Sequence, residues 1–183
     1  MLLWLLIMGL LNKKLNGNSA FVDAQNLYLG TKADGWMVNH KRFCVFLEEN
    51  YSCDEIYLFI GNIRDEHSKM YIELQKAGYI LIFREHANSS VSEKKGDVDT
   101  DLMFELMRRY AEECHERKFI IVSGNGDYFK AVRHLVEKGR LIKVLFPNKK
   151  FASSLYKKLG SEYYDFLINI RSYIEYHKKE KGS

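Results

Sequence analysis

Two hydrophobic rhythms alternate along this chain. Short, nearly unbroken apolar runs read as buried strands. Between them, apolar residues recur roughly every three to four positions, the spacing of one helix face. Strands are predicted at residues 19–22, 56–60 and 79–83, at Phe119–Val122 and at Leu141–Phe146. A helix is predicted over 39–50, where Phe43, Phe46 and Leu47 share a face. A second runs over 65–77, with Met70, Tyr71 and Leu74 inward and Gly78 as its stop. A third covers 99–114 on a stripe of Leu102, Leu106 and Tyr110 flanked by Met103 and Met107, and a fourth covers 128–138, ended by Gly139. Pro147-Asn148 breaks the fifth strand. A short helix over 151–159, a sixth, edge strand over 165–168 and a final helix over 170–179 complete the pattern. Residues 85–96 are polar around Asn88-Ser89-Ser90 and read as a loop.

Strands that are apolar throughout and alternate with helices imply a mainly parallel sheet covered on both faces. The expected fold is an α/β three-layer sandwich with five to six strands. Its functional cleft lies beyond the carboxyl ends of the strands, where the strand order reverses. If the first and fourth strands are neighbours there, Asp23 and Asp127 face each other.

Composition changes little of this picture. The 183 residues, 46% apolar and 14% aromatic, suit one ordinary domain and argue against disorder. That domain is expected over 19–170, between an apolar extension at 1–18 and a basic helix or tail at 171–183. The run from Met1 to Leu11 is too short to span a bilayer, and its basic residues, Lys13 and Lys14, follow it instead of preceding it. It reads as an extra packed helix, a start codon assigned too early (Met8 is an internal candidate) or, less favoured, a weak anchor. No stable membrane insertion is expected. Cys44, Cys53 and Cys114 show no paired spacing and read as reduced thiols, which points to the cytoplasm. Oligomeric state is open, a homodimer included, since the apolar run can pack against another subunit.

Charge adds a direction. The net +4 is concentrated late in the chain, in Lys143, Lys149, Lys150, Lys157, Lys158, Arg171, Lys178 and Lys179. Either a phosphate-rich partner or an ordinary solvated face explains it.

The candidate chemistry lies in three acidic stretches: Asp23-Ala24-Gln25-Asn26, Asp97-Val98-Asp99-Thr100-Asp101 and Ser123-Gly124-Asn125-Gly126-Asp127. Each has a plain local explanation. Asp23 can cap the helix that follows, Asp99 can cap its own helix, and Asp127 can cap a strand-to-helix turn. Glu105 has an ion-pair explanation three residues from Arg108. None of these explains why all the acids fall at one predicted edge. Carboxylates gathered there repel unless a cation lies between them, and oxygen ligands suit Mg²⁺ or Mn²⁺. The six histidines are scattered and form no zinc set. The frame Asp97-Val98-Asp99-Thr100 also resembles a phosphatase nucleophile motif. That motif must end a hydrophobic strand, and here Ser92-Glu93-Lys94-Lys95-Gly96 precedes it, so the phosphatase reading is rejected.

The three stretches together carry a family resemblance. Ala20-Phe21-Val22-Asp23-Ala24-Gln25-Asn26-Leu27, Lys95-Gly96-Asp97-Val98-Asp99-Thr100-Asp101-Leu102 and Val122-Ser123-Gly124-Asn125-Gly126-Asp127-Tyr128 resemble a bacterial NYN domain of the PIN-like nuclease superfamily. The resemblance extends over most of 20–170. It implies a Rossmann-like sheet and a metal-dependent ribonuclease acting on RNA, with single strands the expected substrate. Asp23, Asn26, Asp99, Asp101 and Asp127 would be the catalytic set. Asp23, Asp99, Asp101 and Asp127 would be the ligands of Mg²⁺ or Mn²⁺. Lys95, Ser123, Lys149 and Lys150 would contact the substrate backbone, and Tyr128 would stack on a base. One departure stands out: Asn125 occupies a place where such domains commonly carry aspartate, which removes a negative charge. That departure motivates the rival reading, a non-catalytic RNA-binding or adaptor module. A hydrolase of small nucleotides or phosphate esters is a third.

Overall fold

The computed structural model describes residues 17–84, 98–112 and 116–177. The predicted apolar extension, the polar loop before the third helix, Cys114 and the end of the basic tail therefore lie outside the described residues, apart from the edges of those ranges.

Six strands form a single parallel sheet in the order β3-β2-β1-β4-β5-β6. They are β1 (Asn18–Asp23), β2 (Cys53–Ile60), β3 (Ile80–Phe83), β4 (Phe119–Val122), β5 (Leu141–Phe146) and β6 (Tyr164–Phe166). Helices α1 (Ala24–Ala33), α2 (His40–Tyr51), α3 (Ser68–Ala77), α4 (Val98–Glu112), α5 (Phe129–Glu137) and α6 (Arg171–Ile174) accompany them. The order reverses between β1 and β4, which pair directly, Ser19 to Val22 against Phe119 to Val122. The switch point therefore opens where Asp23 and Ser123 leave the sheet.

Side-chain alternation along the strands builds two cores. Ala20 and Val22 of β1, Ile56 and Leu58 of β2, and Ile120 and Val122 of β4 pack with Leu27 of α1, Phe43 and Leu47 of α2, and Tyr71 and Leu74 of α3. Phe21, Tyr57, Phe59, Phe119 and Ile121 face the other way, onto Leu102 and Leu106 of α4 and Val132 and Leu135 of α5. Because both faces are covered, the strands have no polar side, which is why they read as continuous apolar runs. Among the described residues, no helix is long and apolar enough to cross a membrane.

Several expected elements change form. Met70 is not inward but 48% exposed; the helix turns on Tyr71 and Leu74 instead. The first turn of that segment is 3₁₀, at Asp65–His67, as is Ser154–Lys158 in place of a short helix. The sixth strand begins one residue earlier than expected and gives way to a 3₁₀ turn, Leu167–Ile170. The final helix is a single turn, α6. Glu175 leaves it to form an antiparallel bridge with Val38, and the Tyr176 N–H donates to the Met37 carbonyl at 2.8 Å. Cys44 and Cys53 are buried, and burial pushes both thiols up to about 12, which fits the inert reading.

Candidate active site

Asp23 is the last residue of β1 and the N-cap of α1. Its Oδ1 accepts the Asn26 N–H at 2.9 Å, so the capping explanation holds. It is also 5% exposed, and its Oδ2 accepts from Ser123 Oγ at 3.3 Å, across the β1–β4 switch. Burial raises its carboxyl above the ordinary value of 3.8 despite the hydrogen bonds from Asn26, Ser123 and Tyr128 that hold it down. Asn26 is more than a turn residue. Its Oδ1 accepts the Gly124 N–H at 2.9 Å and so ties the β1 turn to the β4 turn.

Asp99 arrives from α4, in its first turn but one residue inside it, so it is not the cap. Its Oδ2 accepts from Asn125 Nδ2 at 2.6 Å, and its Oδ1 accepts from the Tyr128 hydroxyl. The same phenol helps hold the Asp23 carboxyl down. Two carboxylates from distant parts of the chain thus come to one cleft.

The other two acids do not line the cleft that holds Asp23 and Asp99. Asp101 is two residues along α4 from Asp99, about 200° around the helix, so the two cannot face the same way. Asp127 is exposed. Its backbone N–H donates to Asn125 Oδ1 at 3.0 Å, making Asn125 and not Asp127 the cap of the 3₁₀ turn Gly126–Tyr128. Asp127 still acts at a distance: its charge and that of Asp99 help burial raise the Tyr156 hydroxyl, which donates to the Asn125 carbonyl at 2.7 Å. Among the described residues, no three His, Cys, Asp or Glu side chains gather as a metal-binding group. The pair Asp23 and Asp99 nonetheless fits a hard divalent ion, since Mg²⁺ commonly takes one or two carboxylates and fills its other positions with water and substrate phosphate.

The expected substrate contacts divide. Tyr128 cannot stack on a base: its ring is 0% exposed in the core beneath the cleft, and only the hydroxyl reaches the site. Ser123 is wholly buried and braces Asp23 rather than meeting solvent. Lys149 and Lys150 are exposed on the turn after β5 but do not line the cleft; the Lys149 ammonium lies 5.7 Å above the Phe166 ring. Lys95 lies outside the described residues.

The cleft itself measures about 860 Å³. Asp23, Asn26, Asp99 and Asn125 line it, as do Arg64, Arg84 and Phe151, which the sequence reading did not single out. Arg84 follows β3 directly and Arg64 follows the end of β2, so a charged residue just past a strand was the available signal. The two glycines of the β4 turn serve close approach. A Cβ on Gly124 would lie 3.2 Å from the Phe151 carbonyl oxygen and the Ala152 Cα, and one on Gly126 would lie 2.7 Å from Ser153 Oγ.

Comparison with known proteins agrees with this architecture. The family model for the NYN domain matches residues 19–167. A solved structure of a protein of unknown function from Vibrio parahaemolyticus superimposes with a TM-score of 0.66, at 14% identity, over 84% of this chain and 94% of that one. At that identity the likeness speaks for the fold. No curated protein matches the chain significantly.

Proposed function

The chain belongs to the NYN domain family of the PIN-like nuclease superfamily, and from that premise we propose that it is a metal-dependent ribonuclease hydrolysing single-stranded RNA in the cytoplasm. The observation that carries this is that Asp23 and Asp99, from distant parts of the chain, line one open cleft at the switch point. Asp23 and Asp99 would hold Mg²⁺ or Mn²⁺ directly. Asp101 and Asp127 would act from farther out, through water or as background negative charge. When bound, such an ion lowers the pKa of a coordinated water and offsets charge building on the phosphoryl oxygens.

The chain's own residues prepare the site for this. Ser123 and the Asn26 N–H fix both oxygens of Asp23. Tyr128 and Asn125 fix both oxygens of Asp99. Asn26 locks the two turns together through Gly124. The carboxylates therefore need little rearrangement on loading. Lys149 and Lys150 supply general attraction for the RNA backbone from outside the cleft.

The rival reading, an RNA-binding module without turnover, is favoured by one contact. The Asn125 amide already satisfies Asp99 without a cation. An assay of a labelled single-stranded RNA with Mg²⁺, Mn²⁺ or EDTA separates the two. The hydrolase reading expects metal-dependent cleavage that Asp23→Asn and Asp99→Asn each abolish. RNA binding with no cleavage under any metal would leave the rival standing.

A further inference from the structure

We propose that the cleft orders a single RNA strand along the sheet edge, with a phosphate held by Arg64 and Arg84 on one side of the carboxylate pair and a base stacked on Phe151 on the other. The proposal rests on reading the cleft as an RNA site and adds which residues grip the strand and where.

Sheet order sets the arrangement. Along the carboxyl edge come the ends of β3, β2, β1, β4 and β5 in turn. Arg84 follows β3, Arg64 follows β2, Asp23 ends β1, Asn125 follows β4 and Phe151 follows β5. All five line the same cleft. Neighbouring strands lie about 4.8 Å apart, so the edge from β3 to β5 spans about 19 Å. That is much longer than one phosphodiester group, so the cleft accommodates the nucleotides flanking the bond as well.

The arginine end is poised for an anion. Arg64 pairs with Glu66 at 3.6 Å, but both side chains are mostly exposed, so exchanging that contact for a phosphate costs little. Among the described residues, no ion pair engages Arg84. Two guanidinium forks suit the paired oxygens of a phosphate. The far end is apolar. Phe151 is 59% exposed, and Leu29 beside the same cleft is 49% exposed. The Phe151 segment is held in place, not left loose: the Ser153 N–H donates to the Gly124 carbonyl at 3.0 Å. An anchored, exposed ring at the apolar end of the cleft offers a face to a base.

The test is fluorescence anisotropy of a short labelled single-stranded RNA of mixed sequence, in EDTA and again in CaCl₂, across a salt series. Arg84→Gln and Arg64→Gln are each expected to reduce the slope of log affinity against log salt by about 0.7, the loss of one phosphate contact. Arg84→Lys keeps the slope. Phe151→Ala is expected to weaken binding about 5- to 150-fold with the slope unchanged. Unaltered slopes in both glutamine variants, unaltered affinity in Phe151→Ala, or no binding by the parent chain in either medium overturns the proposal. A parallel cleavage assay in Mn²⁺ keeps the two readings apart. Cleavage that these variants leave untouched sinks the RNA track and spares the hydrolase. The expected binding changes without any cleavage do the reverse.

Discussion

The Tyr128 hydroxyl donates to Asp99 Oδ1 from a ring that is wholly buried. The phenol therefore works as a fixed donor supplied by the core, aimed at a carboxylate from another part of the chain. Tyr128→Phe keeps the packed ring and deletes only that donor. Residues that hold a metal-binding carboxylate typically contribute about 10- to 100-fold to affinity or activity. Cleavage by Tyr128→Phe is expected to fall by that factor while near-UV circular dichroism stays native. Unchanged cleavage would show that Asp99 needs no such support.

Asn125→Asp tests the opposite manipulation. It replaces an amide that donates to Asp99 Oδ2 at 2.6 Å with a second carboxylate. The Asp127 N–H can still be accepted, so the turn keeps its cap. In EDTA the lost hydrogen bond and the new repulsion are expected to cost about 1–3 kcal/mol of stability. In Mn²⁺ the added ligand should recover it. Thermal melts with and without metal read this directly: the gain in Tm on adding Mn²⁺ should be larger in the variant than in the parent. An equal or smaller gain would place Asn125 outside the reach of the ion.

The sequence made the sheet legible because burial on both faces leaves each strand as an unbroken apolar run. Helix α1 was less visible. Its buried face holds Leu27, Gly30 and Thr31, so a single large apolar side chain marks it, too little for a periodic signal. The end of the chain misled for the opposite reason. Residues 170–179 carry a helical pattern, but the antiparallel bridge from Glu175 to Val38 draws the backbone out after one turn. At the site, Asp23 and Asn26 were readable from the strand they end. The partners that position them were not, because Ser123 and Gly124 reach them only after β4 has docked against β1. The burial of Tyr128 was not legible because exposure depends on tertiary packing, and an aromatic in a turn looks the same in sequence whether its ring lies in water or in the core.

His40 gives a pH dependence independent of the cleft. Its Nδ1 lies 3.2 Å from the Tyr79 hydroxyl, and burial lowers its pKa below the usual 6.5. Between that lowered value and 6.5, the unfolded chain binds more protons at this position than the folded one. Stability contributed here is thus intact above 6.5 and is lost as the pH falls through the window. Urea midpoints for the parent and His40→Gln should diverge at neutral pH and converge as the pH falls below 6.5. Parallel curves would show that His40 carries no linked proton.

Gly30 joins α1 to the turn after β5, and its replacement pits two effects against each other. A Cβ there would lie 2.6 Å from Pro147 Cβ and 3.2 Å from the Pro147 carbonyl carbon, while the Gly30 carbonyl accepts from Asn148 Nδ2 at 3.0 Å. Alanine favours the helix by about 1 kcal/mol over glycine. Forcing a methyl into a closed contact costs about 1–3 kcal/mol, and a proline ring pressed against backbone has little room to yield. The clash is expected to win, so Gly30→Ala should lower Tm. It should also weaken cleavage, because α1 carries Asn26 and any tilt of the helix strains the Asn26–Gly124 bond that ties the two turns. A higher Tm with undiminished cleavage would mean that the turn after β5 moves aside freely, and that α1 is held by Leu27 and the Asp23 cap alone.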